Sequence, residues 1–125
     1  MKKNKLIIDG KSLTLEIIEF FLSENPDIEI SKKSVVKIIK SRTLVEKWVE
    51  EGEVIYGVTT GFGEFSNVNI SKKDLQTLQE NLILSHAAGC GKNLPPKIVK
   101  IMMLLRLNAL ARGYSGIKLS TLQLL

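Results

Sequence analysis

The first thirty residues alternate between short apolar runs and a longer amphipathic segment. Leu6–Ile8 and Ile28–Ile30 have the length and composition of short β-strands. Between them, either Ser12 or Thr14 can cap a helix that continues to about Ser23. The pattern therefore predicts a strand, a helix and a second strand, in this order.

A longer amphipathic segment follows the second predicted strand. Ser31 can cap a helix that runs to about Glu51, where Gly52 provides a C-terminal stop. Apolar residues share one face of this helix, namely Val35, Ile38, Ile39, Val45 and Val49. Arg42 falls on the same face, and a buried guanidinium is costly without a partner. We therefore expect Arg42 to pair with a carboxylate in a structural role, the alternative being a ligand for an anion.

The composition changes between Val54 and Ser71, where Glu64 is the only charged residue. Val54–Tyr56 has the composition of a buried strand. Three glycines shape the loop that follows it: Gly57, Gly61 and Gly63. Such a loop can adopt backbone angles closed to other residues and can approach a ligand closely. The structural alternative is a tight connection between a strand and a helix.

A second helix is predicted after this loop. Ser71 and Asp74 have the spacing of a capping box, and the helix is expected to run to about Ala88. Three leucines share one of its faces: Leu75, Leu78 and Leu82. His86 lies four residues beyond the last of them, so we expect its side chain to point into the interior. A lone interior histidine is either a hydrogen-bonded core residue or a ligand-binding residue.

The last quarter of the chain is strongly apolar. Pro95 and Pro96 are expected to begin a helix, because proline is tolerated in the first turn. Within residues 98–111, 11 of 14 are apolar, and they cover nearly the whole circumference of that helix. After a turn at 113–116, the chain resumes and stops on leucines without a cap. A 125-residue monomer can bury only one face of such a helix, so we expect a self-associating fragment of a larger protein.

Composition and charge exclude several classes of protein. The 125 residues, 44% hydrophobic and 25% charged, are typical of one globular domain rather than a disordered chain. One cysteine and one histidine allow neither an internal disulfide nor a His/Cys zinc cluster. The excess behind the net charge of +5 lies in residues 92–125, which hold six basic and no acidic residues. Four of the six are scattered around the predicted helix, namely Lys97, Lys100, Arg106 and Arg112. We therefore expect no nucleic acid, no metal, no membrane and a cytoplasmic location.

Three blocks of sequence resemble the aromatic amino acid ammonia-lyases and aminomutases, in register from about Asp9 to the last residue. The blocks are Tyr56–Gly63, Leu78–Gly89 and Leu105–Gly116. The resemblance implies a mainly α fold with two or three short β-strands, the N-terminal portion of the all-helical, fumarase/aspartase-like ammonia-lyase fold. Residues 1–125 would form the N-terminal part of the domain that carries the cofactor in this family.

The family eliminates ammonia from an amino acid to give a trans-α,β-unsaturated acid, or moves the amine to the β-carbon. Its electrophile is a methylidene-imidazolone group (MIO), formed from an internal Ala-Ser-Gly that this sequence does not contain. The resemblance therefore implies a chain truncated before the cofactor tripeptide and inactive by itself. It also implies a homotetramer and no metal.

The resemblance assigns roles to particular residues. Tyr56 matches the loop tyrosine that removes the β-proton of the substrate. Ser85 and His86 match the pair that contacts the substrate side chain, and a Ser-His pair resembles the members that convert L-histidine to trans-urocanate. Phenylalanine lyases typically carry a more apolar pair. A tyrosine or phenylalanine lyase, a related aminomutase, and a stand-alone non-catalytic helical interaction module remain alternatives.

Overall fold

The computed structural model describes residues 4–65, 68, 70–71 and 73–125. The chain divides into two compact units: a first unit of Met1–Thr43 with Asn93–Leu125, and a second unit of Leu44–Lys92. The elements are β1 (Lys5–Ile8), α1 (Leu15–Glu24), β2 (Asp27–Ile30), α2 (Lys32–Glu51), a 3-10 turn (Gly63–Phe65), α3 (Leu75–His86), α4 (Pro96–Leu110) and α5 (Leu119–Leu124). The predicted mainly helical fold with two short strands is confirmed.

The strands β1 and β2 form a parallel pair in which Lys5 lies opposite Asp27. A parallel pair needs a crossover connection, which α1 supplies. The helix begins after Thr14, whose Oγ1 accepts a hydrogen bond from the Ile17 N–H at 3.4 Å. Ser12, the other predicted cap, instead donates its hydroxyl to the Asp9 carboxylate.

Asp9 closes the turn between β1 and α1. Its Oδ1 accepts hydrogen bonds from the Lys11 and Ser12 N–H groups, both at 2.8 Å, and from the Ser12 hydroxyl at 2.9 Å. The backbone N–H of Ser12, and next that of Lys11, lower the pKa of the Asp9 carboxyl by stabilising its charged form. The turn between β1 and α1 is therefore fixed by a carboxylate.

The predicted N-terminal cap of α2 is confirmed, since Ser31 Oγ accepts a hydrogen bond from the Ser34 N–H at 3.2 Å. Further along α2, Ser41 Oγ accepts from the Gly116 N–H at 3.0 Å, and Arg42 donates to the Gly116 carbonyl at 3.4 Å. Arg42 is half-buried rather than buried. This bond to a backbone carbonyl supports a structural role for Arg42, and its predicted pairing with a carboxylate stays a prediction.

Buried side chains from β1 and from the helices α1, α2, α4 and α5 form the core of the first unit, together with an alanine directly after α4: Leu6, Ile8, Phe21, Ile38, Leu104, Leu107, Ala111 and Leu122. Three of them lie on α4 or directly after it, on one face of that helix. The rest of α4 leaves a row of large apolar side chains exposed: Ile98, Val99, Met102, Met103 and Leu105. The expectation that this chain can bury only one face of the helix is confirmed.

The second unit corrects one predicted element. Val54–Tyr56 is not a strand, because the chain turns at Tyr56 and the Ile55 carbonyl accepts from Val58 and Thr59 in the turn. Residues 66, 67 and 69 of the predicted loop segment lie outside the described residues. The Ser71 hydroxyl donates to the Asp74 carboxylate at 2.6 Å instead of capping, and α3 begins at Leu75.

Among the described residues, no helix combines the length and the apolarity that a membrane crossing requires.

We expect Gly113→Ala to destabilise the chain much more than Gly52→Ala. Both glycines have positive φ, +77° and +71°, which costs an alanine about 1–2 kcal/mol. Only at Gly113 would the added Cβ also meet backbone, 2.9 Å from the Lys37 carbonyl carbon, whereas nothing lies within 4 Å at Gly52. Urea unfolding should show a loss of about 3 kcal/mol or more for Gly113→Ala against about 1 kcal/mol for Gly52→Ala. Equal losses would contradict the close packing of this turn on α2.

Candidate functional site

Tyr56 is the first residue of a tight turn in the second unit. The N–H groups of Val58 and Thr59 both donate to the Ile55 carbonyl at 3.0 Å, so the chain reverses around Tyr56. Gly57 adopts a φ of +71°, a left-handed conformation that favours glycine. The Tyr56 side chain is 63% exposed. The Tyr56 phenol is therefore exposed at a point where the backbone reverses its direction.

Two buried threonines lie directly behind this turn. Thr59 Oγ1 accepts a hydrogen bond from the Ile55 N–H at 2.9 Å and donates to the Glu53 carbonyl. Thr60 Oγ1 donates to the Gly61 carbonyl at 3.0 Å and accepts from the Gly57 N–H at 3.4 Å. Neither residue was recognised as functional from the sequence. Their signal was the ability of threonine hydroxyls to bond nearby backbone groups in turns.

Phe62 was also missed, and its ring packs edge-on against the ring of Tyr56. The ring centroids are 5.9 Å apart and the planes meet at 76°, a favourable geometry for aromatic pairs. A Cβ on Gly57 would lie 3.2 Å from Phe62 Cε1, so the missing side chain makes room for this pair. Gly63 also has positive φ, and Gly61 is buried with its carbonyl bonded.

Ser85 and His86 form the last turn of α3. The Ser85 hydroxyl donates to the Leu82 carbonyl at 2.9 Å and lies 3.0 Å from His86 Nδ1. His86 Nδ1 is itself 2.9 Å from the same carbonyl. A carbonyl oxygen only accepts, so this bond requires the hydrogen on Nδ1 and leaves Nε2 as the outward atom.

The prediction that His86 points into the interior is wrong for this chain. His86 is exposed, and the leucines of its predicted stripe are only half-buried. The physical reason is that His86 Nδ1 bonds to the Leu82 carbonyl, one helical turn back along α3. Tyr56 makes its ring contact with Phe62 and His86 makes its hydrogen bonds within α3.

A cavity of about 390 Å³ in the second unit is lined by the end of α2, Thr59 and the start of α3. Tyr56, Ser85 and His86 are not among its lining residues. In the described ranges, no three His, Cys, Asp or Glu side chains are grouped so that they could hold a metal ion. The sequence contains no Ala-Ser-Gly tripeptide.

The family profile described as aromatic amino acid lyase matches residues 13–125, and the chain belongs to this family. The chain is 46% identical over 121 residues to the histidine ammonia-lyase of Caldanaerobacter subterraneus subsp. tengcongensis. The matched segment covers 97% of this chain and 24% of that protein. The crystal structure of histidine ammonia-lyase from Trypanosoma cruzi matches with a TM-score of 0.85 and 38% identity, over 96% of this chain and 23% of that one.

Tyrosine aminomutase from Streptomyces globisporus matches with a TM-score of 0.86 and 33% identity, again over 96% of this chain and 23% of that one. The ammonia-lyase fold predicted from three sequence blocks is thus confirmed. The chain spans about a quarter of the length of the relatives that it matches.

We expect Gly57→Ala to displace the Tyr56 ring and Gly63→Ala to leave it in place. Both positions have positive φ and carry similar backbone strain, but only at Gly57 would the new Cβ meet Phe62. In the 125-residue chain, the ring proton resonances of Tyr56 should shift in Gly57→Ala and stay nearly constant in Gly63→Ala. Equal shifts in the two variants would show that the Phe62 contact does not depend on the absence of a side chain at Gly57.

Proposed function

We propose that this chain is the N-terminal part of a cytoplasmic ammonia-lyase that converts L-histidine to trans-urocanate, and that it is inactive by itself. The observation that carries the proposal is the Ser85–His86 pair in a chain of the aromatic amino acid lyase family. Its similarity to histidine ammonia-lyases over nearly the whole chain supports the same substrate. Residues 1–125 would belong to the domain that carries MIO in a longer protein.

Tyr56 is proposed as the base that removes the β-proton of the substrate. That proton is weakly acidic, so the phenol must act in its ionised form and be held at the right distance. The turn supports this role because it exposes the phenol while both flanking backbone segments are hydrogen-bonded. The electrophile of the family would come from residues outside this chain, since the tripeptide that forms it is missing here.

His86 is proposed to bind the side chain of the substrate. Because Nδ1 is bonded to the Leu82 carbonyl, the neutral ring presents Nε2 as a hydrogen-bond acceptor. An imidazole N–H of L-histidine is a donor that Nε2 can accept. Ser85, whose hydroxyl lies 3.0 Å from Nδ1, helps to hold the ring in this orientation.

The second candidate is a lyase or aminomutase acting on tyrosine or phenylalanine. The likeness to a tyrosine aminomutase structure favours it, because a tyrosine hydroxyl is also a donor to Nε2. A non-catalytic helical module is a further candidate, which the exposed apolar face of α4 favours. A stop codon directly after Leu125 in the gene would support the module, and an open frame through Ala-Ser-Gly would support the enzyme.

We expect the protein translated with its downstream sequence to prefer L-histidine when L-histidine, L-tyrosine and L-phenylalanine compete. Urocanate absorbance measures turnover, and residues 1–125 alone should give none. Tyr56→Phe should lower kcat by about 10²- to 10⁴-fold, because it removes the proposed base. Tyr114→Phe is the matched control, since the exposed Tyr114 is the other tyrosine of the sequence. A preference for tyrosine, or turnover by residues 1–125 alone, would overturn the corresponding part of the proposal.

We expect residues 1–125 to self-associate through α4, in line with the homotetramer proposed for the longer protein. Ile98, Met102 and Leu105 fall within about 60° of one another at about 100° per residue, and all are exposed. The double substitution Met102→Gln with Leu105→Gln should lower the mass measured by light scattering. Leu15→Gln, at an exposed apolar position on α1, should leave it unchanged. A monomer of the unmodified chain at high concentration would contradict this proposal.

A further inference from the structure

We propose that Thr59 and Thr60 are positioning residues for Tyr56, fixing the backbone on both sides of the phenol so that it meets the β-proton. This inference rests on the proposed function, because it takes Tyr56 as the base. In the described structure, the side chains of the two threonines form no hydrogen bond with Ser85 or His86, the residues proposed to contact the substrate.

Thr59 holds the segment before Tyr56. Its hydroxyl bridges two backbone groups, accepting from the Ile55 N–H at 2.9 Å and donating to the Glu53 carbonyl. Its own backbone carbonyl accepts from the Ile70 N–H at 2.9 Å, which ties the same residue to the chain that returns after the loop. Thr59 is 3% exposed, so water does not compete readily for these bonds.

Thr60 holds the segment after Tyr56. Its hydroxyl accepts from the Gly57 N–H at 3.4 Å and donates to the Gly61 carbonyl at 3.0 Å, and the residue is fully buried. The bond to Gly57 is longer than those made by Thr59, so we expect its effect to be smaller. Gly57 has positive φ, and glycine has little intrinsic preference among backbone conformations. The bond from its N–H to Thr60 therefore restrains the residue of the turn that has the most backbone freedom.

The inference is carried by the contrast between the buried hydroxyls of Thr59 and Thr60 and the exposed phenol of Tyr56. Each of the two threonine hydroxyls donates one hydrogen bond and accepts another, and both residues are buried, while the phenol they flank is 63% exposed. A tyrosine on an unrestrained turn would spend much of its time away from a reacting proton, and small misplacements are costly in rate. Since proton removal belongs to the chemical step, loss of either hydroxyl should lower kcat and leave KM nearly constant.

The test uses Thr59→Val and Thr60→Val in the protein translated with its downstream sequence. Valine keeps the branched shape and removes the hydroxyl, while Thr59→Ser and Thr60→Ser keep the hydroxyl. We expect Thr59→Val to lower kcat by about 10- to 100-fold with KM within about threefold, and Thr59→Ser to restore most of the loss. Thr60→Val should show the same pattern with a smaller loss. Thr77→Val, at an exposed threonine of α3, is the matched control for the measurements made on the 125-residue chain.

A second measurement reports on the backbone itself. In the 125-residue chain, amide hydrogen exchange of Ile55 should accelerate at least tenfold in Thr59→Val and stay unchanged in Thr77→Val. Circular dichroism shows whether each variant keeps its helices, and Thr60→Val provides the test should Thr59→Val fail to fold. Unchanged exchange in folded Thr59→Val would overturn the proposal.

The activity results separate this inference from the proposed function. If Tyr56→Phe is inactive while both valine variants keep full kcat, the positioning role is overturned and the role of Tyr56 stands. If the serine variants lose as much kcat as the valine variants, the hydroxyls are not responsible and the inference is also overturned. If Tyr56→Phe keeps full turnover, the proposed function itself fails, whatever the threonine variants do.

Discussion

The packing of the first unit depends on two places where a helix and a turn approach too closely for any side chain. At Gly10, a Cβ would lie 2.6 Å from Arg112 Cγ and 2.9 Å from the Arg112 nitrogen, directly after α4. At Gly113, a Cβ would lie 2.6 Å from Lys37 Cβ on α2. The turn after β1 therefore packs directly against the segment that follows α4. That segment in turn packs directly against α2. The buried side chains of the core fill the space that these backbone contacts define.

Local chemistry made much of this fold predictable from the sequence. The caps at Thr14 and Ser31 each satisfy an N–H group that a helix start leaves free, and they use only residues within three positions. Longer-range features were not accessible in this way. The parallel pairing of β1 with β2 and the approach of Gly113 to Lys37 join residues far apart in the sequence, and no local pattern specifies such contacts.

The candidate site shows where sequence patterns mislead. Three apolar residues predicted a strand at Val54–Tyr56, but the hydroxyl of Thr59 satisfies the backbone of Ile55 and so replaces the ladder of a sheet. The leucine stripe placed His86 on an interior face, but the hydrogen bond from its ring to the Leu82 carbonyl decided the direction of the ring. Tyr56 itself came from resemblance to a family, whereas its aromatic neighbour Phe62 became visible only in three dimensions.

The division of the chain has a consequence for its synthesis. The second unit, Leu44–Lys92, is continuous, whereas the first joins Met1–Thr43 to Asn93–Leu125. As the polypeptide leaves the ribosome, the continuous unit is complete before the discontinuous one has its second half. Closing the first unit must then bring together segments separated by the whole inserted unit, an entropic cost that slows folding. During that interval the core of the first unit lacks three of its buried residues: Leu104 and Leu107 of α4, and Ala111 directly after it.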